Sequence, residues 1–185
     1  SGRNTIPNKG PANPHAGRHQ ERERDATDNA ASLSLLFQFG DFRFLCCGDL
    51  TWNVEAKLMT PNNPVGTVDM YMVTHHGLPT SNNPALVLAV DPTVTVMCNG
   101  PTKGGAEQTL KTLREIKSLK DMYQLHRNVK LGPELQTSAE LIANGGTTAT
   151  CQGRWIKASI SPDGTSYTVQ IGPKGKQRTY QSREH

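Results

Sequence analysis

The clearest hydrophobic pattern lies near residue 40, where two apolar runs flank a short polar break. The runs cover residues 33–39 and 42–47, and Gly40-Asp41 separates them. Runs rich in aromatic and aliphatic residues around a two-residue turn predict a β-hairpin. The second run is almost continuously apolar, which is typical of a strand that is buried on both faces.

Farther along the chain, helix-like and strand-like patterns alternate. The predicted helices cover residues 51–59, a segment that begins at Pro84, and residues 107–119. The predicted strands between them cover residues 68–74, 94–98 and 122–125, and a last hairpin joins 155–160 to 167–171. Alternation of strands and helices between two hairpins indicates an α/β or α+β layered fold.

Both ends of the chain and one internal segment lack this periodicity. Residues 1–28 contain a single large aliphatic side chain, Ile6, and many polar, Pro and Gly residues. Such a segment buries too little apolar area to offset the entropy lost on ordering, so we expect a disordered tail or a long loop. Residues 127–153 are expected to be irregular, and 173–185 to form a frayed polar tail. The predicted folded domain therefore covers 29–172.

The composition narrows the class of protein without identifying it. Only 35% of the 185 residues are hydrophobic, and no apolar run approaches the ~18 residues that a membrane-spanning helix needs. The 20 basic and 16 acidic residues are mixed along the chain, so the net charge of +4 does not by itself indicate a nucleic-acid-binding module. No basic stripe with interleaved aromatic residues is seen. We expect a soluble domain from the bacterial cytoplasm, or a secreted or periplasmic one if a longer parent carries a signal peptide.

Two groups of possible metal ligands give weak signals. The four cysteines have no zinc-type spacing, and neighbouring Cys46 and Cys47 on a strand point to opposite faces. They are expected to act as small buried hydrophobic residues, although a disulfide such as Cys98–Cys151 stays open. His15 and His19 are four residues apart, but Pro, Gly and Arg around them make a helical metal site doubtful.

Stronger candidates follow the predicted strands. Asp49 comes after the second strand, His75 and His76 after the third, and His126 after the fifth. Ligands bind beyond the carboxyl ends of strands in open α/β sheets, and Asp and His are suitable ligands for Zn, Mn or Fe. A metal pair there would generate hydroxide for hydrolysis. Alternatively, Asp49 caps the next helix and the histidines belong to a turn. Lys103 is a candidate contact for an anionic substrate.

These residues resemble the metallo-β-lactamase-fold hydrolases related to the C-terminal domain of the ComEC competence proteins. The resemblance covers residues 29 to about 126 and is carried by five matching features of that family. They are Asn29 and Ser32 before the hairpin, Gly48-Asp49, Glu55 on the next helix, His75-His76-Gly77 with a later Ser81, and the glycine-rich loop 99–105. The resemblance implies an αββα sandwich and metal-dependent hydrolysis of a phosphodiester or similar ester, with DNA as one candidate substrate.

The same resemblance implies the roles of individual residues. Asp49 would bridge two divalent metal ions (Zn, or Mn or Fe), and His75 or His76 would be a further ligand, with Asp49 and His76 as the catalytic pair. Substrate contacts are assigned to four residues: Ser81, Asn82, Lys103 and His126.

Two departures from the family pattern qualify these expectations. Leu78 stands where the family has Ser, and the family's first metal motif, His-x-His-x-Asp-His, is absent from the sequence. We therefore expect residues 29–172 to be the C-terminal half of the sandwich, whose N-terminal half would be its partner. Asp49 and one or two histidines are too few ligands for two metals, so this chain alone is expected to bind metal weakly and to hydrolyse little. The alternative is a catalytically incomplete fold with a binding or structural role.

Overall fold

The computed structural model describes residues 8–185, and its first element pair is the expected hairpin. Strand β1 (Leu35–Phe39) runs antiparallel to β2 (Phe42–Cys46), with Leu35 opposite Cys46 and Phe39 opposite Phe42. Gly40 in the connecting turn has φ +57°, a left-handed conformation that glycine adopts without steric cost. The prediction of a hairpin at this position is confirmed.

Four more strands extend this hairpin into a six-stranded mixed sheet in the order β1-β2-β3-β4-β5-β6. Each of the four runs parallel to the strand before it. They are β3 (Met70–Met72), β4 (Val94–Met97), β5 (Asp121–His126) and β6 (Ile142–Asn144). Strand β6 lies in the segment that was expected to be irregular. The α/β fold class is confirmed, and the parallel strands place their carboxyl ends along one edge of the sheet.

Three helices pack on one face of the sheet. They are α1 (Trp52–Met59), α2 (Pro84–Val90) and α3 (Glu107–Arg114). The Asn83 side chain caps α2 by accepting a hydrogen bond from the Ala85 N–H, at 2.9 Å. Helix α3 ends before the predicted residue 119, because the Ile116 N–H bonds to the Leu113 carbonyl and tightens the last turn. No helix among residues 8–185 is long and apolar enough to cross a membrane.

A second sheet covers part of the opposite face. It consists of β7 (Ile156–Ile160), β8 (Ser166–Ile171) and β9 (Arg178–Gln181). A second hydrophobic core fills the space between the sheets. Strand β9 differs from the frayed tail expected over 173–185, since Tyr180 is buried and stacks on Tyr167 at 5.2 Å between ring centroids.

Residues 8–28 form a loop that crosses the helical face, and polar contacts hold it. The buried Asn13 side chain donates to the carbonyls of Met59 and Ala85, at 2.7 and 2.9 Å. The Arg22 guanidinium lies 3.3 Å from the centroid of the Trp52 ring. Residues 1–7 of the predicted tail lie outside the described residues.

The weaker metal-ligand candidates are separated in the fold. His15 and His19 flank a single 3₁₀ turn, so the helical face that would bring them together is not formed. All four cysteines are free, so a disulfide between Cys98 and Cys151 is not formed. Cys47 is fully buried, as expected for a small hydrophobic residue, whereas Cys98 and Cys151 are exposed.

Candidate functional site

Three of the sequence-predicted site residues meet at the carboxyl edge of the six-stranded sheet. Asp49 follows β2, and His75 and His76 follow β3, its parallel neighbour. The His76 Nε2 lies 3.7 Å from Asp49 Oδ1, and the His75 Nε2 lies 4.0 Å from Asp49 Oδ2. The helix cap position belongs to Thr51, two residues after Asp49. One carboxylate is therefore shared by two imidazole rings.

The two histidines sit on an unusual stretch of backbone. His75 and His76 have φ +52° and +56°, and Gly77 continues in the same region with φ +75°. The left-handed conformation costs a non-glycine residue roughly 1–2 kcal/mol. Three hydrogen bonds hold this turn: the His75 N–H donates to the Gly48 carbonyl, and the His75 and His76 carbonyls accept from the N–H groups of Leu78 and Gly105. Strain of this kind is typical of functional sites.

Internal hydrogen bonds determine which nitrogen of His75 carries the proton. Its Nδ1 lies 3.1 Å from the Ser81 Oγ, and that hydroxyl already donates to the Leu50 carbonyl at 2.7 Å. Because a hydroxyl has one proton, Ser81 accepts from the His75 Nδ1–H. The unprotonated His75 Nε2 then accepts a hydrogen bond from the Asn29 side-chain amide, whose Nδ2 lies 3.4 Å away. A ligand ion on the Asp49 side would take this lone pair in place of the Asn29 amide.

His76 has the same tautomer for a different reason. Its Nδ1 lies 2.9 Å from the Cys98 carbonyl, which can only accept, so Nδ1 carries the proton. Its Nε2 is the ring nitrogen nearer to Asp49, 3.7 Å from Oδ1. Gly104 packs tightly against this residue, since a Cβ at position 104 would lie 2.1 Å from the His76 carbonyl oxygen. A histidine that binds a metal through one ring nitrogen usually donates the N–H of the other nitrogen to a protein acceptor, and this hydrogen bond orients the ring.

Burial is the main reason that the neutral form of His75 is favoured. Burial lowers the pKa of His75 below its usual value, the Asp49 carboxylate raises it, and the Lys103 ammonium lowers it. The imidazole side chain is only 10% exposed. Asp25 also raises the pKa of His75. Asp25 was missed at the sequence level because it lies in the segment interpreted as a tail, where no motif surrounds it.

Ser81 and Asn82 lie beneath the histidines rather than beside them. Both are 1% exposed, and Ser81 holds the His75 ring. The Asn82 amide donates to the Thr74 carbonyl at 3.0 Å, and its oxygen accepts from the Tyr71 hydroxyl at 3.2 Å. The polar atoms of Ser81 and Asn82 are thus bound inside the protein, whereas they were expected to contact a substrate.

The two remaining candidates lie farther along the same edge. Lys103 is close enough to His75 to lower its pKa, as described above. His126 ends β5, and its carbonyl accepts a hydrogen bond of 2.6 Å from the Asn99 side chain. The buried His126 Nδ1 has no hydrogen-bond partner within the described part of the chain. Nothing in the described contacts joins His126 to Asp49.

Across residues 8–185, no group of three or more His, Cys, Asp or Glu side chains is arranged closely enough to hold a metal ion as it stands. The nitrogen-to-oxygen distances of 3.7 and 4.0 Å are wider than the ~3.4 Å between donors that tetrahedral zinc requires, given bonds of ~2.0–2.2 Å. The donor types and tautomers nevertheless suit a divalent ion, and the gap is a few tenths of an ångström.

Comparison with known protein families gives no match for this chain. Comparison with curated protein sequences finds no chain of significant similarity.

Proposed function

We propose that this chain carries a divalent-metal site for the hydrolysis of a phosphodiester or a similar ester. Asp49, His75 and His76 would hold the ion. The observation that carries the proposal is the approach of two imidazole Nε2 atoms to the two oxygens of the Asp49 carboxylate, at 3.7 and 4.0 Å. Three protein ligands are the usual number at catalytic zinc sites, which keep a fourth position open.

The donor set supports one ion rather than two. One carboxylate and two imidazoles are enough for a single tetrahedral ion but too few for a pair. The ion, when bound, would supply Lewis-acid activation of water and of the ester. The partial exposure of Asp49 and of the His76 imidazole, each 38%, leaves that side of the site open to a substrate.

The surrounding residues have defined tasks in this proposal. Ser81 and the Cys98 carbonyl hold the two Nδ1 protons, so both Nε2 lone pairs stay on the ligand side. The Asn29 amide, 3.4 Å from the His75 Nε2, donates to that nitrogen in the ion-free chain and would be displaced from it when the ion binds. Lys103 brings a positive charge near His75, which favours an anionic substrate such as a phosphodiester.

The test is metal binding by the purified chain with and without the Asp49 carboxylate. Titration with Co²⁺, followed by its visible absorption, is expected to give about one ion per chain. Asp49→Asn is expected to lower the affinity at least tenfold. Asp41→Asn is a matched control, because Asp41 also follows a glycine at the end of a strand but is exposed and distant from the histidines. Equal loss in both variants, or no loss in either, would show that Asp49 is not a ligand.

Hydrolysis is measured on the same proteins with bis-p-nitrophenyl phosphate. We expect metal-dependent turnover that is slow in the wild type and absent in Asp49→Asn. Stoichiometric metal binding without any turnover would refute the hydrolytic part of the proposal. It would favour a binding role for the chain.

A further inference from the structure

The buried carboxyl group of Glu55 lies behind the candidate site and has no role in the proposed chemistry. Glu55 is on the first turn of α1 and is 0% exposed. Its Oε2 accepts a hydrogen bond of 2.8 Å from the Asn83 N–H. Its Oε1 has no hydrogen-bond partner among the described residues. A charged carboxylate in such a place would pay a large desolvation cost, so the neutral acid is favoured.

The groups around Glu55 do not offset the effect of burial on its pKa. Desolvation raises the pKa of Glu55 to about 8, while the N–H groups of Asn83 and Asn82, the Thr74 hydroxyl and the Arg22 guanidinium lower it. The other titratable groups that face it are two neutral ones, the thiol of Cys47 and the phenol of Tyr71. Glu55 is therefore mostly protonated at neutral pH.

Two groups that lower the pKa of Glu55 lie at the two ends of the loop that carries the histidines: the Thr74 hydroxyl, and the Asn83 N–H that donates to Oε2. Thr74 directly precedes His75, and Asn83 ends the loop by capping α2. Asn82 joins the two ends from inside, because its amide donates to the Thr74 carbonyl at 3.0 Å. Loop 74–83 thus closes over the Glu55 carboxyl group, with Ser81 and the His75 ring bound to each other within it.

We propose that Glu55 is a positioning residue that works as a neutral carboxylic acid and holds loop 74–83 in the conformation that points the His75 Nε2 toward Asp49. The role of His75 as a metal ligand rests on the proposed function. The orientation of the His75 ring does not depend on it and can be measured without a metal. An ionised carboxylate is not required for this task. The amide of glutamine can therefore replace it, and an apolar side chain of similar size cannot.

The first test measures the His75 ring without any metal. Long-range ¹H–¹⁵N spectra distinguish protonated from unprotonated imidazole nitrogens, and His75→Gln assigns the signals. In the wild type and in Glu55→Gln we expect one tautomer of His75, protonated at Nδ1. In Glu55→Leu the Asn83 N–H loses its acceptor, so we expect a mixture of tautomers. A single Nδ1–H tautomer in Glu55→Leu would overturn the proposal, and so would a mixture in Glu55→Gln.

The second test measures Co²⁺ affinity of the same three proteins. We expect Glu55→Gln to bind within about threefold of the wild type and Glu55→Leu to bind at least tenfold more weakly. If Glu55→Leu fails to fold, Glu55→Gln still decides, since loss of affinity there would show that an ionised carboxylate is needed. If the wild type binds no Co²⁺, the proposed function fails, and the tautomer spectra alone decide the role of Glu55.

Discussion

The burial of Glu55 makes the stability of the protein depend on pH. Burial raises the pKa of Glu55 to about 8 in the folded chain, against an ordinary value of 4.5. Between these two pH values the native state holds a proton that the unfolded state has released. The free energy of unfolding therefore falls as the pH rises through this range. Replacing Glu55 with Gln removes the titration and should remove this part of the fall.

The expected size follows from the width of that range. One proton contributes ~1.4 kcal/mol per pH unit, so the full effect between pH 4.5 and 8 is about 5 kcal/mol. This is a large part of the ~5–15 kcal/mol that stabilises a typical domain. Below pH 4.5 the two proteins are expected to have similar stability, because Gln and a protonated Glu carry the same charge. Near pH 8 the Glu55→Gln variant should be the more stable protein.

Urea unfolding at several pH values from 4.5 to 8.5, monitored by tryptophan fluorescence, measures the difference directly. The quantity of interest is the stability of the wild type minus that of Glu55→Gln, so that other titrating groups cancel. Glu23→Gln is the control, because Glu23 is exposed and its variant should track the wild type. Parallel pH profiles for the wild type and Glu55→Gln would refute the reasoning, since Glu55 would then be ionised in both states.

Two further substitutions test the packing that supports the site and the C-terminal strand. Gly104→Ala places a Cβ 2.1 Å from the His76 carbonyl at φ +79°, so we expect a loss of more than about 1 kcal/mol in urea unfolding and weaker Co²⁺ binding. Gly145→Ala, with no atom within 4 Å of its new Cβ, should change neither quantity. Arg183→Ala removes a guanidinium that binds the Asp91 and Val68 carbonyls. Its loss should destabilise the chain by about 1–3 kcal/mol and speed proteolysis of residues 178–185, and unchanged proteolysis would contradict this account.

The sequence predicts the elements that bury apolar side chains. The hairpin at residue 40, helices α1 and α2 and strands β3 to β5 lie where the pattern places them, within a few residues. The meeting of Asp49 with His75 and His76 was also predictable, because parallel strands end at the same edge of a sheet. That argument uses only strand order and direction, which hydrophobic patterns and short connections largely determine.

The polar segments could not be predicted in this way. Residues 8–28 and 178–185 contain few apolar residues, and long-range hydrogen bonds help to hold them, together with the pairing of β9 with β8. The buried Asn13 side chain reaches carbonyls on α1 and α2, and the Arg183 N–H donates to the buried Asp69 carboxylate at 2.9 Å. Such contacts join residues more than 40 positions apart and leave no periodic signal. The influence of Asp25 on His75 was not predicted for the same reason, because Asp25 lies in one of these polar segments.

The backbone at His75 and His76 is the strongest internal argument that this site has a function. Two consecutive left-handed residues together cost roughly 2–4 kcal/mol, and glycine at either position would avoid most of that cost. The next residue of the turn, Gly77, is glycine, and a Cβ there would lie only 2.7 Å from the Met97 Sδ. The His76 imidazole adds little apolar burial in return, since its side chain remains 38% exposed. Beyond their Nδ1 hydrogen bonds to Ser81 and to the Cys98 carbonyl, the two rings place two Nε2 atoms beside one carboxylate, which glycine could not do.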